Sequence, residues 1–411
     1  MGRVVTAIDI GSSKICTLVG EVTDTDVIRV IGIGVVPSRG VSRGVITDLE
    51  EATLAIGESI QKAERIAQHT ITHAYVAIGG IHISSQNSRG SAAIGKGDRP
   101  IDREDLARAL DASQVIALPH NRQVIQCTAR EYQLDSQVTT KNPLGLLGRM
   151  LDVDAHIITG DTAFISNLAN CVKRNHVEII EYVPQPVASA EAVLSGEEMN
   201  DGVAVVDMGG ETTSVIIYVL GSPFDTHVYP VGGNHFTNDM VVVLHTPVAT
   251  AEEIKLRYGH VLVSAINPAE TVQVSTFGSN TLNTISRRLV AEIIGARMED
   301  ILNRYILPEI KRSGYDGLLA AGIVLTGGVA QTAGAADLIS SMLQLPVRMG
   351  LPRRLHGLTV ALDSPAYSTA VGLLLHGMRR ETTDKPLPNV EPSSRNWSAR
   401  VLHWLKNLLP R

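Results

Sequence analysis

Two stretches of the chain carry the same run of residue types. One reads VTAIDIGSSKICTLV and contains Asp9; the other, from Val203, reads VAVVDMGGETTSVII and contains Asp207. Each is an apolar run, an Asp-x-Gly turn, small residues with hydroxyls, and a second apolar run. Asp9 aligns with Asp207 and Gly11 with Gly209. Glycine lets the backbone come close to a phosphate, and successive amides and hydroxyls then donate to its oxygens. A strand-end aspartate would repel the phosphate itself but can hold the waters of a magnesium ion. A lone Asp-x-Gly is a tight hairpin turn. Two copies facing one another form a clamp for a polyphosphate.

Two further motifs fit around such a clamp. LTGGVA, Leu325 to Ala330, ends a strand in paired glycines before a helix, where a flat ring can lie on the backbone. EEIK puts Glu252 and Lys255 three apart, on one helix face, within reach of a ribose or base. Alone, the first is a strand-to-helix loop and the second a surface ion pair.

The elements that must position these residues follow from pattern. VVTAIDIG, KICTLVGEV and VIRVIGIGVV read as strands. Asp48 to Gln68 reads as a helix with Leu49, Ala52, Leu54, Ile56, Ile60, Ala63 and Ile66 mainly on one face. AYVAIG is another short buried strand. Residues 83–158 mix a helix starting near Asp102, a strand around VIQCTAREYQL, a loop and a strand DAHIIT. Helix TAFISNLANCVKRN, strand VEIIEYV and helix PVASAEAVLSG lead to the second Asp-x-Gly turn. Helical patterns fill 249–313, followed by strand GIVLTGG, helix AADLISSMLQL, strand PVRMG and helix PAYSTAVGLLLHGM. Two similar units nearly half a chain apart indicate a duplicated domain rather than a solenoid.

Composition narrows the function classes. With 411 residues and 44% hydrophobic content the chain can build more than one core. A net charge of -6 speaks against a nucleic-acid partner. Cys16, Cys127 and Cys171 are too scattered for a disulfide framework or a zinc site, which suits a reducing compartment. The first residues enter a strand without the apolar core of a signal peptide, and no apolar run is long enough to span a bilayer.

The order of AIDIGSSK, PVASAEAVL, VVDMGGETT, VLTGG and PAYSTAVGLL resembles that of the actin-like ATPases. Within them the chain is most similar to the bacterial cell-division family FtsA, through SRGVITDLEEAT, AYVAIGG, PVGGNHFTNDM, AEEIKLRYG and GIVLTGGVAQTAGAADLISSMLQLPVRMG. The resemblance implies an α/β fold of duplicated ribonuclease-H-like domains around a nucleotide cleft, with the inserted subdomain of that family. It divides the chain into a first core subdomain (1–82, 161–198 and 363–380), the insert (83–160), a second core subdomain (199–242 and 310–362) and a smaller helical subdomain (243–309). A linker (381–395) and an amphipathic helix (396–411) follow.

Carried over by position, the resemblance implies ATP and Mg2+. Asp9, Gly11, Ser12, Ser13 and Lys14 would form the first phosphate turn, and Asp207, Gly209, Gly210, Thr212 and Thr213 the second. Glu252 and Lys255 would meet the ribose and base side, Gly327 and Gly328 the adenine, and Asp9 and Asp207 the magnesium through water. Gln185 and Glu191 lie where actin-like ATPases place a group that orients the attacking water; the competing reading is that both are structural, with at most slow hydrolysis. Two residues depart from the pattern. Glu211 stands where a third glycine is common, and its carboxylate would repel a terminal phosphate unless turned outward or towards the metal. Val329 follows the paired glycines where a smaller residue is frequent, and would crowd the base.

RETTDKPLPNVEPSSR, from Arg380 to Arg395, has little to bury and reads as an extended tether. Beyond it Trp397, Val401, Trp404, Leu405 and Leu408 share one helical face, and Arg400, His403, Lys406, Asn407 and Arg411 the other. Aromatics opposite cations, with no acidic residue from Asn396 onward, suit a helix lying on anionic lipid, with Arg400 and Lys406 at the headgroups. A terminal helix docked on the core is the alternative. The family resemblance adds the remaining expectations: self-association into actin-like filaments, binding of the FtsZ C-terminal tail, recruitment of later divisome membrane proteins, and a place at the division septum on the cytoplasmic face of the membrane. The competing functions are an actin-like pilus-assembly protein and a small-molecule kinase of the same superfamily; no catalytic base for the latter stands out in the first half.

Overall fold

The computed structural model describes residues 3–23, 27–95, 99–278, 281–353 and 355–382. The expected linker from residue 383 onward and the amphipathic segment with Trp397, Arg400, Val401, Trp404, Leu405, Lys406 and Leu408 lie outside the described residues.

Two sheets of the same design form the centre. In the first, strands Glu178–Pro184, His73–Ile78 and Arg3–Ile10 run parallel, then Lys14–Val22 and Ile28–Pro37 return antiparallel. In the second, Val347–Met349, Ile323–Thr326 and Val203–Met208 run parallel, then Thr213–Val219 and Ser222–Tyr229 return antiparallel. The order and sense match strand for strand, so the duplication read from the Asp-x-Gly turns extends through both sheets. The central strands are buried on both faces, which is why they read as continuous apolar runs rather than alternating ones.

Helices cover the sheets. Helix Leu49–Ala67 begins where the Asp48 side chain accepts from the amides of Glu50 and Glu51, and ends at Gln68 in a left-handed conformation. It packs on the first sheet through Ala52, Ala55, Ile56, Ile60 and Ala63. The expected face was too wide: Leu54 and Ile66 are exposed, because they fall outside the arc defined by those residues. Helix Gln185–Val193 is buried along its length and touches both sheets. Helix Ser368–Thr382 packs against it and against the first sheet.

The second sheet does not stop at Ser222–Tyr229. His227 pairs with Ser84, and strand Ser84–Ala93 carries the ladder on through Met150–Asp161 and Arg122–Leu134 to Val138–Thr140. Helix Arg103–Ser113 lies on this extension over a small core of its own, including Ile101, Ala109, Leu134, Leu151 and Val153. Side chains reinforce the junction: His156 Nε2 lies 2.9 Å from Thr226 Oγ1, Asn87 Nδ2 donates to the Phe224 carbonyl at 3.0 Å, and the Arg130 guanidinium stands over the Phe224 ring.

Two segments differ from the pattern reading. Ser84–Ala93 is a strand although SSQNSRGSAA has almost no apolar residue. Within the run expected to be helical, Thr271–Ser275 and Leu282–Ser286 form a hairpin, between helix Val248–Tyr258 and helix Arg287–Ile301. Of the described hairpin residues only Val272 and Val274 are buried, too short a repeat to override the helical periodicity around it.

Candidate functional site

Both Asp-x-Gly turns are built alike. The ladder between Arg3–Ile10 and Lys14–Val22 ends at Ile10 opposite Ile15, and the Gly11 amide closes the turn on the Lys14 carbonyl at 3.1 Å. The ladder between Val203–Met208 and Thr213–Val219 ends at Met208 opposite Thr213, and the Gly209 amide closes on the Thr212 carbonyl at 2.8 Å. The two turns approach each other closely. A Cβ at Gly210 would stand 3.0 Å from that of Ser13. Helix Gly233–Leu244 starts at the second turn, with the amides of Gly233 and Asn234 donating to the carbonyls of Gly209 and Gly210.

The two aspartates are buried in different company. Gln185 Nε2 donates to Asp9 Oδ1 at 3.2 Å. Burial pushes the Asp9 carboxyl up to about 6; Lys14 works against this and Asp207 adds to it. Ser189 and Thr369 donate hydroxyl bonds to Asp207 Oδ2, and burial raises its carboxyl too. Lys14 Nζ donates to the Ala366 carbonyl at 2.6 Å and stands over the Tyr367 ring. The turn hydroxyls are partly engaged within the protein. Ser12 Oγ accepts from the Gly44 amide at 3.0 Å, and Thr213 Oγ1 donates to the Val231 carbonyl at 2.7 Å in a buried position.

Beside the turns opens a cleft of about 670 Å³, lined by Ser13, Glu211, Asn234, Thr237, Asn238 and Glu252 among others. Its far wall is helix Val248–Tyr258. Lys255 Nζ pairs with Glu252 Oε2 at 2.7 Å and also reaches Thr237 Oγ1 and the Gly233 carbonyl, so the pair is tied to the helix that springs from the second turn. Strand Ile323–Thr326 lies beside Val203–Met208, with Thr326 level with Asp207. Gly327 follows in a left-handed conformation, φ +85°, where a Cβ would meet the Met208 carbonyl oxygen at 2.4 Å and Asp207 Oδ1 at 2.5 Å. Only glycine fits there. At Gly328 a Cβ would meet nothing, so this position faces open space. Val329 is turned away into the second core.

The structure separates the two residues read as water-orienting candidates. Gln185 is at Asp9. Glu191 pairs with Arg379 at 2.6 Å and with His376 Nδ1 at 3.4 Å. Burial alone would lower the His376 imidazole, but Glu181 and Glu191 hold it up at about 9. Glu191 therefore sits in an ion-pair network with the helix Ser368–Thr382. Glu211 points neither outward nor at the aspartates: its Oε2 accepts from Ser42 Oγ at 2.9 Å and from the Arg43 amide at 2.6 Å. Reading the sequence also missed Ser189, Thr369, Asn234 and Thr237. Their signal is weak, since single hydroxyl and amide residues on helices are common.

Residues 204–372 match the family model described as cell division protein FtsA, and residues 80–159 match the SHS2 domain inserted in FtsA. The chain is 38% identical to the cell division protein FtsA of Pseudomonas aeruginosa, over 93% of this chain and 91% of that protein. It is 35% identical to that of Neisseria meningitidis and 33% identical to that of Escherichia coli K12, each over 98% of both chains. Among solved structures, a PilM–PilN type IV pilus biogenesis complex superposes with a TM-score of 0.64 at 14% identity, covering 91% of this chain and 98% of that one. MreB5 of Spiroplasma citri bound to ADP superposes with a TM-score of 0.58 at 14% identity, covering 93% and 99%. The fold is the actin-like one that the motif order predicts, with the inserted domain in place.

Proposed function

We propose, because the chain belongs to the FtsA family of cell-division proteins, that it binds ATP with magnesium between its two halves and uses the nucleotide to set their closure. The observation that carries this is the pair of matched turns standing face to face, each closed by the same amide hydrogen bond, with a buried Asp9 behind one and a largely shielded Asp207 behind the other. Lys14 supplies the positive charge that a polyphosphate needs. The amides of the two turns supply donors. The Gly327–Gly328 loop and the Glu252–Lys255 pair bound the adenosine end.

The aspartates fit a hydrated divalent ion. Among the described residues no cluster of three or more metal-ligating side chains occurs, so the ion would be held by Asp9 and Asp207 through water and by the phosphates themselves. The carboxyl of Asp9, raised by burial, becomes the stable anion once such a cation is present. The chemistry the ion supplies is neutralisation of phosphate charge. Gln185, beside Asp9, is the residue placed to orient a water there, and hydrolysis is slow at most. Glu191 is engaged in its own ion pairs, which supports a structural role.

The cellular part of the reading rests on the family and on the C-terminal sequence. The protein would self-associate into filaments, bind the FtsZ C-terminal tail, and hold it at the cytoplasmic face of the membrane at the septum through residues 396–411, recruiting later divisome proteins there. Among the described residues no helix is long and apolar enough to cross a membrane; the aromatic and cationic faces of residues 396–411 support attachment through that segment. Isothermal titration with ATP and Mg2+, and pelleting of full-length and 1–395 chains with anionic vesicles, test the two halves of the proposal. Absence of ATP heat overturns the first. Equal pelleting of both chains overturns the second.

A further inference from the structure

Glu211 bridges the two halves. It belongs to the second phosphate turn, whereas Ser42 and Arg43 belong to a small hairpin of the first half, Val41–Ser42 with Val45–Ile46. The hairpin tip is gripped from three sides. The Gly44 amide donates to Ser12 Oγ of the first phosphate turn. The Arg43 carbonyl accepts from the Ile81 amide at 3.3 Å, and a Cβ on Gly44 would lie 2.4 Å from the Gly80 Cα. The third grip is the Glu211 carboxylate, whose other oxygen accepts from Asn234 Nδ2 at 3.4 Å. Arg43 itself holds a left-handed backbone, φ +50°, at a non-glycine position. Such a conformation persists only where the surroundings fix it.

The duplicated topology explains why the tip sits there. Strand His73–Ile78 takes the place in the first sheet that Ile323–Thr326 takes in the second. Gly79–Gly80 is therefore the counterpart of Gly327–Gly328. In the second half this loop stays open beside the cleft, as Gly328 shows; in the first half the hairpin tip covers it and turns the Arg43 amide towards the opposite turn. An amide and a hydroxyl converging on one carboxylate oxygen form an anion grip, and here the protein supplies its own anion.

We infer that Glu211 is a cross-cleft latch: its carboxylate occupies the Ser42–Arg43 grip and holds the two phosphate turns together without nucleotide. The inference deepens the nucleotide reading, and the contact is between residues of this chain alone, so it stands or falls separately. A terminal phosphate entering between the turns meets this fixed negative charge, so the latch also sets how much a third phosphate adds to binding. Glu211 is a positioning residue in this role and forms no bond to the reacting atoms.

Hydrogen exchange at residues 41–46 of the full chain, without nucleotide, reads the latch directly. Loss of a charge-assisted hydrogen bond raises exchange at the Arg43 amide about tenfold or more in Glu211→Gly, while exchange in strand 150–161 stays unchanged. Glu211→Gln keeps an acceptor without charge and gives a smaller rise; it also carries the test if the glycine variant folds poorly. Ser42→Ala gives a smaller rise again. ATP and ADP titrations of the same proteins read the second part: in Glu211→Gly the ratio of ATP to ADP affinity increases. Arg43 exchange as slow in both Glu211 variants as in the native chain overturns the latch. A rise equal to that in strand 150–161 also overturns it. An unaltered ATP to ADP ratio in a protein that binds both overturns the role in phosphate discrimination. Failure of every form to bind nucleotide, with Arg43 exchange still accelerated, overturns the nucleotide reading and leaves the latch standing.

Discussion

The two Asp-x-Gly turns share a backbone and differ in what their side chains do. In the first, Lys14 leaves the turn for the Ala366 carbonyl and the Tyr367 ring, and Ser12 is taken by the Gly44 amide. In the second, Glu211 reaches across to the hairpin of the opposite half, and Thr213 is spent on the Val231 carbonyl. The first turn carries a cation that is held within its own half, and the second an anion that reaches into the other. Duplication thus conserves the geometry that ladders and glycine fix, while the side chains are free to take opposite charges.

The sharpest break of this comparison is at the glycine loops. Gly327→Ala sets a Cβ against the Met208 carbonyl oxygen and Asp207 in a left-handed conformation, which costs on the order of 4 kcal/mol from strain and overpacking together. Gly79→Ala meets instead the end of the Gln185 side chain, which can move, and costs less. Thermal unfolding of the two variants should show the larger fall for Gly327→Ala, and equal falls would mean that the halves are equally tight.

Next in size is Asp9. Its carboxyl is raised by burial from 3.8 to about 6, so the folded chain holds this proton more tightly than the unfolded one. Ionised Asp9 therefore costs stability above pH 6, up to about 3 kcal/mol, and the cost fades as pH falls from 6 towards 3.8. Denaturant unfolding without nucleotide or metal should find Asp9→Asn more stable than the native chain at pH 7.5, with the difference shrinking at pH 5. A pH-independent difference would contradict this assignment.

Lys14→Met tests the cation of the first turn. ATP affinity should fall about tenfold or more by titration, with secondary structure by circular dichroism unchanged, because the loss is confined to one side chain and its contacts with Ala366 and Tyr367. The smallest effect is expected at Thr213→Val. It removes one buried hydroxyl bond to Val231 and should cost about 1 kcal/mol of stability while leaving ATP affinity intact. Loss of ATP binding there would place the Thr213 hydroxyl in the phosphate turn as well as in the bond to Val231.

What could be read from the chain was what backbone geometry demands. Asp-x-Gly turns, a Thr-Gly-Gly strand end and a capped helix at Asp48 each have a residue type that the local conformation requires, so they appear in sequence. Strand Ser84–Ala93 could not be read, because its pairing with neighbours on both sides supplies what its polar side chains do not. Hairpin 271–286 was hidden in the same way by its flanking helices. Glu211 was legible as a departure from glycine but not as a latch, since its partners Ser42 and Arg43 lie 169 and 168 residues away in sequence. The ion pairs that engage Glu191 were likewise out of reach, since they depend on how helix Ser368–Thr382 packs.

The ladder between His227 and Ser84 gives the inserted domain two allegiances. By chain it hangs between strand His73–Ile78 and helix Thr162–Lys173, both packed in the first half; by sheet it prolongs the second. A hinge motion of one half against the other cannot leave it aligned with both. Either the rung at His227 and the side-chain contacts around it shear, or the insert swings with the second sheet on its two covalent tethers. The inserted domain is in that sense a lever arm whose fulcrum is one backbone rung braced by the side chains of Asn87, Arg130 and His156.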